Sequence, residues 1–303
     1  MQRDPVTPAA ASSTTGLAEF EALRPRLFGI AYRMLGGVGA AEDVVQDAWL
    51  RWQGTDREAV RNPAAFLTTV TTRLAVNAAT SARAARETYV GPWLPEPVDT
   101  AADPTLGAER AEAVDLAVLV LLEKLGPTER AAYVLREAFD YPHRQVAEVL
   151  DTSEDNARQL VSRARRHLAS ARSAPVSPAD RRRLVEAFLR AARDGDLTAL
   201  EQLLAEDVTA RSDGGGRVHA ARRVLHGVAR VSTFLDNVRR KYWHTATYRL
   251  VEANGGPALL VTDLDGTPQA LVTLHASTRG VEQLFFVVNP DKLRQFGSTG
   301  PAD

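Results

Sequence analysis

Apolar residues recur every three to five positions through the first third of the chain, a spacing that predicts helices. Phe20, Leu23, Leu27, Ile30 and Leu35 mark the first helix, which Gly36-Gly37 interrupts. Ala41, Val44, Val45, Ala48 and Trp52 line one face of a second. Asn62 ahead of Pro63 reads as an N-cap with Pro in the first turn, opening a third helix with Phe66, Leu67, Val70 and Leu74 inward. Periodicity lapses from residue 88. Pro92, Pro95, Pro97 and Pro104 predict a semi-rigid linker there, although Trp93-Leu94 is too apolar for a solvated spacer. Periodicity returns near residue 109. Pro127 opens a helix that Tyr141-Pro142 ends, and two short helical segments, 144–150 and 154–170, flank Asp151-Thr152-Ser153. Thr152 or Ser153 can cap the last helix, so the pair forms a helix-turn-helix pattern.

The pattern changes after residue 178. Helices at 181–192 and 197–204 precede a strand at 208–212 and a helix at 228–242. Alternating strands follow at 246–252, 258–263, 269–275 and 281–288, with Asn254-Gly255-Gly256 and Asp265-Gly266 as turn signals. This is an α+β order, helices first and an antiparallel sheet after. The chain thus divides into a disordered N-terminus (1–16), an all-α module (17–87), a Pro-rich linker (88–108), an all-α helix-turn-helix module (109–172), an α+β domain (178–297) and a disordered tail (298–303).

The 303 residues include no cysteine, which excludes a disulfide framework, a thiolate metal site and a thiol nucleophile. No apolar run approaches the ~20 residues that cross a bilayer, and the N-terminus lacks an apolar leader, so cytoplasmic residence is expected. The 37 basic and 38 acidic residues nearly cancel, but their distribution is uneven. Residues 156–175 hold no acid while carrying Arg158, Arg163, Arg165, Arg166 and Arg172. On the last helix, Ala157, Leu160, Val161, Ala164 and Leu168 face inward. Asp155, Arg158, Gln159, Ser162 and Arg166 face out. Arg and Gln can read guanine and adenine edges in the major groove, and Arg163, Arg165 and Arg166 suit phosphates. The alternative is a solvated basic helix. The second helix carries Glu42, Asp43, Gln46 and Asp47, an acidic face that suits a basic protein partner or plain solvent. The third carries Thr68, Thr69, Thr72, Arg73, Asn77, Arg83 and Arg86 away from its apolar stripe, a set compatible with single-stranded nucleic acid.

In this order the parts resemble a bacterial extracytoplasmic-function sigma factor. The stretch AEDVVQDAWLRW (residues 41–52) resembles the helix by which region two binds core RNA polymerase. NPAAFLTTVTTRLAVN (62–77) resembles the −10 element reader. GPTERAAYVLREAFDYPHRQVAEVL (126–150) resembles the part of region four that precedes the −35 recognition helix. The resemblance implies core polymerase contacts at Glu42, Asp43, Gln46 and Asp47. It implies −10 contacts at Thr69, Thr72, Arg73, Asn77 and Arg83, and −35 contacts at Arg158, Gln159, Ser162, Arg163, Arg165 and Arg166. Asn77 stands where many such factors carry Asp.

Three further stretches resemble motifs of the subgroup with a fused SnoaL-like domain, a cone of the nuclear-transport-factor-two type. They are Trp93, Leu94, Pro95, Glu96, Pro97; Asp213, Gly214, Gly215, Gly216, Arg217; and Asn289, Pro290, Asp291, Lys292, Leu293. Arg217 replaces the usual Lys, keeping charge but not donor geometry. The resemblance implies that the C-terminal domain regulates the sigma module in cis; the three stretches are expected to meet in one docking surface, and no cofactor or metal is expected. Asp213, His219, Asp263 and His275 could in principle line an enzyme pocket, but no spacing constrains them, and His219, His226, His244 and His275 show no metal-ligand pattern. The rival readings are a ligand-sensing helix-turn-helix repressor and a cyclase- or hydrolase-type cone with a helical fusion.

Overall fold

The computed structural model describes residues 8–100, 115–169, 176–242 and 244–297. Residues 1–7, the linker stretch 101–108 and the expected tail 298–303 lie outside the described residues. In chain order the elements are α1 (Pro8–Leu35), α2 (Val38–Gln53), α3 (Pro63–Glu87), α4 (Leu116–Leu122), α5 (Pro127–Tyr133), a π turn (Val134–Ala138), α6 (His143–Leu150), α7 (Glu154–Ala169), α8 (Pro178–Asp194) and α9 (Leu197–Leu203). There follow β1 (Leu204–Asp213), β2 (Leu225–His226), α10 (Val228–Tyr242), β3 (Thr247–Ala253), β4 (Gly256–Thr262), β5 (Pro268–Ser277), β6 (Gly280–Val287) and two 3-10 turns, Pro290–Lys292 and Arg294–Phe296. Residues 1–83 with 124–168 form one compact unit, and 84–123 with 169–303 form another.

In the first unit α1 begins at Pro8, so residues 8–16 are helical rather than the expected disordered lead. Pro fits a first turn, the following alanines have the highest helix propensity, and the buried Gly16 carbonyl accepts the Trp52 indole N–H at 2.9 Å. Asn62 Oδ1 accepts the Ala65 N–H at 3.0 Å, capping α3 as its sequence predicts. The buried face of α3, however, is Leu67, Thr68, Thr71, Thr72, Ala75 and Ala79, while Phe66, Val70 and Leu74 are only half-buried. Short side chains let neighbouring elements approach closely, and a threonine methyl packs as well as an alanine.

The helix-turn-helix half packs on α1 through three arginines. Arg130 Nη1 donates to the Met34 carbonyl at 2.6 Å, near the C-terminal end of α1, where orphan carbonyls favour a cation. Burial, with the neighbouring Arg83 charge, brings its pKa down to about 10, so it stays charged at neutral pH. Arg33 lies 5.1 Å from the Phe139 ring centre and Arg26 5.0 Å from that of Tyr141.

The second unit is built on a six-stranded sheet in the order β2-β1-β6-β5-β4-β3. Strands β3 to β6 form the expected antiparallel meander, but β1 pairs with β6 in parallel, so the sheet is mixed. The long β1–α10–β3 excursion carries the chain round to the far edge, which leaves β1 alongside β6 with the same polarity. One face packs against α8, α9 and α10 through Phe188, Leu200, Val231, Leu235, Leu274 and Phe286. The other face takes the linker. Leu94, Pro95, Pro97 and Val98 are buried, and Val98 trades hydrogen bonds with Asn254 (3.2 and 2.9 Å). The stretch read as a semi-rigid spacer is therefore in part a structural strand-like strap. Helix α4, assigned from sequence to the helix-turn-helix module, makes its contacts within this unit, where Asp115 caps it and pairs with Arg181 of α8.

Candidate functional site

Three surfaces carry the candidate residues. On α2, Ala41, Val44, Val45, Ala48 and Trp52 are buried, which turns the opposite face outward. Asp43, Gln46 and Asp47 are exposed there, beside an exposed apolar Leu50 that the sequence pattern did not single out. Glu42 is already engaged by Arg24 at 2.6 Å.

On α3, Thr72 does not sit on the surface: it is fully buried and its hydroxyl has no hydrogen-bond partner among the described residues. Arg73 is also committed. Its Nε donates to the Val149 carbonyl at 2.9 Å and its Nη2 to Glu148 at 3.4 Å, so it caps the carbonyl end of α6. Thr68 shares a 3.0 Å hydrogen bond with Tyr141. Thr69 returns its hydroxyl to Ala65, while Asn77 and Arg83 are exposed with no side-chain partner among the described residues. Part of the proposed −10 face is therefore covered by the helix-turn-helix half within the same unit.

On α7, the apolar stripe is buried throughout and the remaining face is open. Ser153 accepts the Asn156 N–H at 3.2 Å as N-cap, and Asp151 takes the left-handed conformation (φ 53°) that ends α6 tightly. Arg158 pairs with Glu154 one turn back, and Arg165 with Glu137 at 2.7 Å. Gln159, Ser162, Arg163 and Arg166 are exposed and have no side-chain partner among the described residues.

The third surface lies inside the second unit. Asp213, at the end of β1, has no exposed surface, and its carboxylate collects four donors. They are the Tyr89 hydroxyl (2.6 Å), the Leu94 N–H (2.8 Å), Lys292 Nζ (2.7 Å) and the Gly215 N–H (3.0 Å). Gly215 is left-handed (φ 58°), and a side chain there would collide with Asn289. Asn289 donates to the Tyr89 hydroxyl at 3.2 Å and caps the turn that presents Lys292. Lys292 also donates to the Leu94 carbonyl and stands 4.4 Å from the Trp93 ring centre, whose other neighbour is Arg86 at 3.6 Å. Arg217 pairs with Asp291 at 3.2 Å. Burial pulls the Lys292 pKa down against the pull of Asp213; burial and Asp213 together push that of Tyr89 up, so it remains a donor. Tyr89 was missed in the sequence, where an aromatic in a polar linker was the available signal, and Arg86, read there as compatible with nucleic acid, instead stands against Trp93.

The four residues weighed for an enzyme pocket do not converge. Asp213 is consumed by the linker, Asp263 caps its own hairpin turn through Asp265 and Thr267, and His219 lies on an exposed loop, leaving His275 on β5. No group of three or more metal-ligating side chains occurs among the described residues.

Two family models match: sigma-70 region 2 over residues 20–85 and sigma-70 region 4 over residues 115–168. The ECF RNA polymerase sigma factor SigJ of Mycobacterium tuberculosis (strain ATCC 25618 / H37Rv) is 43% identical over 233 residues, covering 75% of this chain and 74% of that one. The probable ECF RNA polymerase sigma factor SigI of Mycobacterium tuberculosis (strain CDC 1551 / Oshkosh) is 29% identical over 296 residues, 96% of each chain. The crystal structure of the Mycobacterium tuberculosis extracytoplasmic function sigma factor SigJ superposes with a TM-score of 0.76 at 36% identity, covering 92% of this chain and 98% of that one.

Proposed function

Because the chain belongs to the extracytoplasmic-function RNA polymerase sigma factors, we propose that its first unit grips one promoter at two places and that its second unit limits how far those places can separate. The chain is a transcription factor that binds core RNA polymerase and directs promoter-specific initiation, and it acts by binding rather than by turnover. Its place of work is the cytoplasm, with the polymerase; among the described residues no helix is long and apolar enough to cross a membrane.

Asp43, Gln46 and Asp47, with Leu50 beside them, form the polymerase-facing surface, where acidic complementarity sets orientation and on-rate. Asn77, Thr69 and Arg83 engage the melted −10 strand, joined by Arg73 once it lets go of α6. Gln159 and Ser162 read the −35 duplex. Arg163 and Arg166 hold its phosphates, and Arg158 and Arg165 exchange their carboxylates for DNA. Replacing Arg163 with Ala lowers the slope of log affinity against log salt by about one, uniformly across sequences. Replacing Gln159 with Ala instead lowers discrimination at one base pair by about 5- to 150-fold. Holoenzyme binding to promoter variants across a salt series distinguishes the two.

Elements 25 base pairs apart lie on the order of 80 Å apart. A compact unit of roughly 130 residues is about 36 Å across, so the first unit must open before both elements are held. Freed, residues 88–115 could extend to about 90 Å, a reach that is shortened when the Leu94–Val98 strap is held on the sheet. The observation that carries this reading is the Asp213 carboxylate with the Leu94 N–H and Lys292 converging on it. The second unit, a SnoaL-like cone in this reading, thus replaces a separate inhibitor and sets a conformational equilibrium. Promoter-directed transcription by core polymerase with the wild type and the Asp213→Ala variant tests the reading.

A further inference from the structure

The loop from β1 to β2 is a second stretch from which acids are missing. Residues 214–235 contain none, while Arg217, His219, Arg222, Arg223, His226 and Arg230 fall within them. Between this loop and the start of the linker lies a recess of about 330 Å³, at the small end of ligand pockets. Gly214, Gly216, Arg217, His219 and Arg222 line it from the loop, and Val90 and Gly91 from the linker. Among the described residues no carboxylate lines it. Asp213 precedes the loop, but its carboxylate is already shared among four donors. A Cβ on Gly214 would stand 2.6 Å from the Val218 carbonyl oxygen, so a bare backbone is needed there. Arg217 gives its Nε to Asp291 at 3.2 Å. The side chains of His219 and Arg222 have no partner among the described residues. The main-chain N–H groups of Gly216, His219, Ala220, Ala221 and Arg222 also meet no acceptor there, although Ala220 and Ala221 are half-buried. Val90 and Val218, both lining the recess, are 53% and 44% exposed, a small apolar patch beside the cations.

Half-buried amides without acceptors and cations without a lining acid are what an anion site offers before its ligand arrives. We propose that this recess binds a small phosphate monoester. Its phosphoryl oxygens take the Arg222 and Arg217 guanidiniums, His219 and the loop N–H groups, and its apolar body rests on Val90 and Val218. Two guanidiniums with a set of unused donors match a dianion of three terminal oxygens better than a carboxylate monoanion. A recess of this size takes a compact ester rather than a nucleic-acid backbone, whose phosphates carry one charge each. The inference does not depend on the second unit restraining the first.

The test is calorimetric titration of the full chain with phenyl phosphate, inorganic phosphate or sodium benzoate, in a phosphate-free buffer of low ionic strength. Phenyl phosphate should bind at one site. Inorganic phosphate should bind more weakly, for want of the apolar body, and benzoate most weakly. Arg222→Gln removes an exposed side chain and should lower the affinity for phenyl phosphate by about 10- to 100-fold, the loss of one charge-assisted contact. Arg223→Gln removes the same charge from the same loop but not from the recess, and should leave the affinity close to wild type. Equal losses from the two variants would reveal a diffuse basic surface instead of a site. Displacement of phenyl phosphate by a DNA duplex of scrambled sequence would reassign the recess to nucleic-acid backbone. Either result, benzoate binding as tightly as phenyl phosphate, or no saturable binding of phenyl phosphate would overturn the assignment.

Discussion

Asp213→Ala should detach the linker from the sheet and lower the stability of the second unit by about 3–5 kcal/mol, the cost of leaving one partner of a buried ion pair alone. Asp213 and Lys292 are both shielded, with side-chain exposures of 0% and 13%. Without the carboxylate, Lys292 keeps a buried charge, and Tyr89 and the Leu94 N–H lose their acceptor. The Leu94 and Val98 amides report the outcome by hydrogen exchange, because Leu94 bonds to Asp213 at the end of β1 and Val98 to Asn254 in the β3–β4 turn. Both should exchange far faster in the variant, and urea unfolding should shift to lower concentration. Adding Lys292→Met to Asp213→Ala removes the orphan charge and should recover part of the loss. Unchanged exchange at Leu94 would mean that the carboxylate does not hold the strap.

Tying α3 to α6 should silence the protein. Arg73 already joins them through the Val149 and Glu148 carbonyls, and the chain has no cysteine of its own. An Arg73→Cys, Glu148→Cys double variant bridged by a short bismaleimide would keep the first unit closed. Only one promoter element could then be engaged, and the gain from linking two binding modules, about 10²- to 10⁴-fold, would be lost. Promoter affinity of the holoenzyme should fall by that factor on cross-linking relative to the uncross-linked double variant, which is itself weakened only by the loss of the Arg73 contact. Full promoter binding by the bridged protein would show that the closed unit spans both elements.

Much of this was legible in the pattern of residues. The stripe on α7 and its Ser153 cap follow from spacing and local hydrogen bonding alone, and so does the Asn62 cap of α3. That the three motif stretches meet was suggested by the family resemblance; the pattern alone showed only that Trp93 had no place in a solvated spacer. What escaped was long-range. Thr72 looks polar, but a threonine beside Ala75 and Ala79 packs as a small apolar residue when a neighbouring element comes close. Arg73 looks like a phosphate contact, yet the carbonyl end of α6 competes for the same guanidinium. The parallel β1–β6 pair could not be read from alternation, which gives faces but not neighbours. Arg165 could be seen as basic, but not as already paired with Glu137, 28 residues away; the Arg158–Glu154 pair, one turn apart, was local and readable but went unread.

The most direct measurement is single-round transcription from one promoter by core polymerase, with wild-type chain and Asp213→Ala at equal polymerase occupancy. Releasing the strap should raise the transcript yield of the variant above wild type. Equal or lower yield from a variant whose linker amides exchange freely would contradict a second unit that restrains the first.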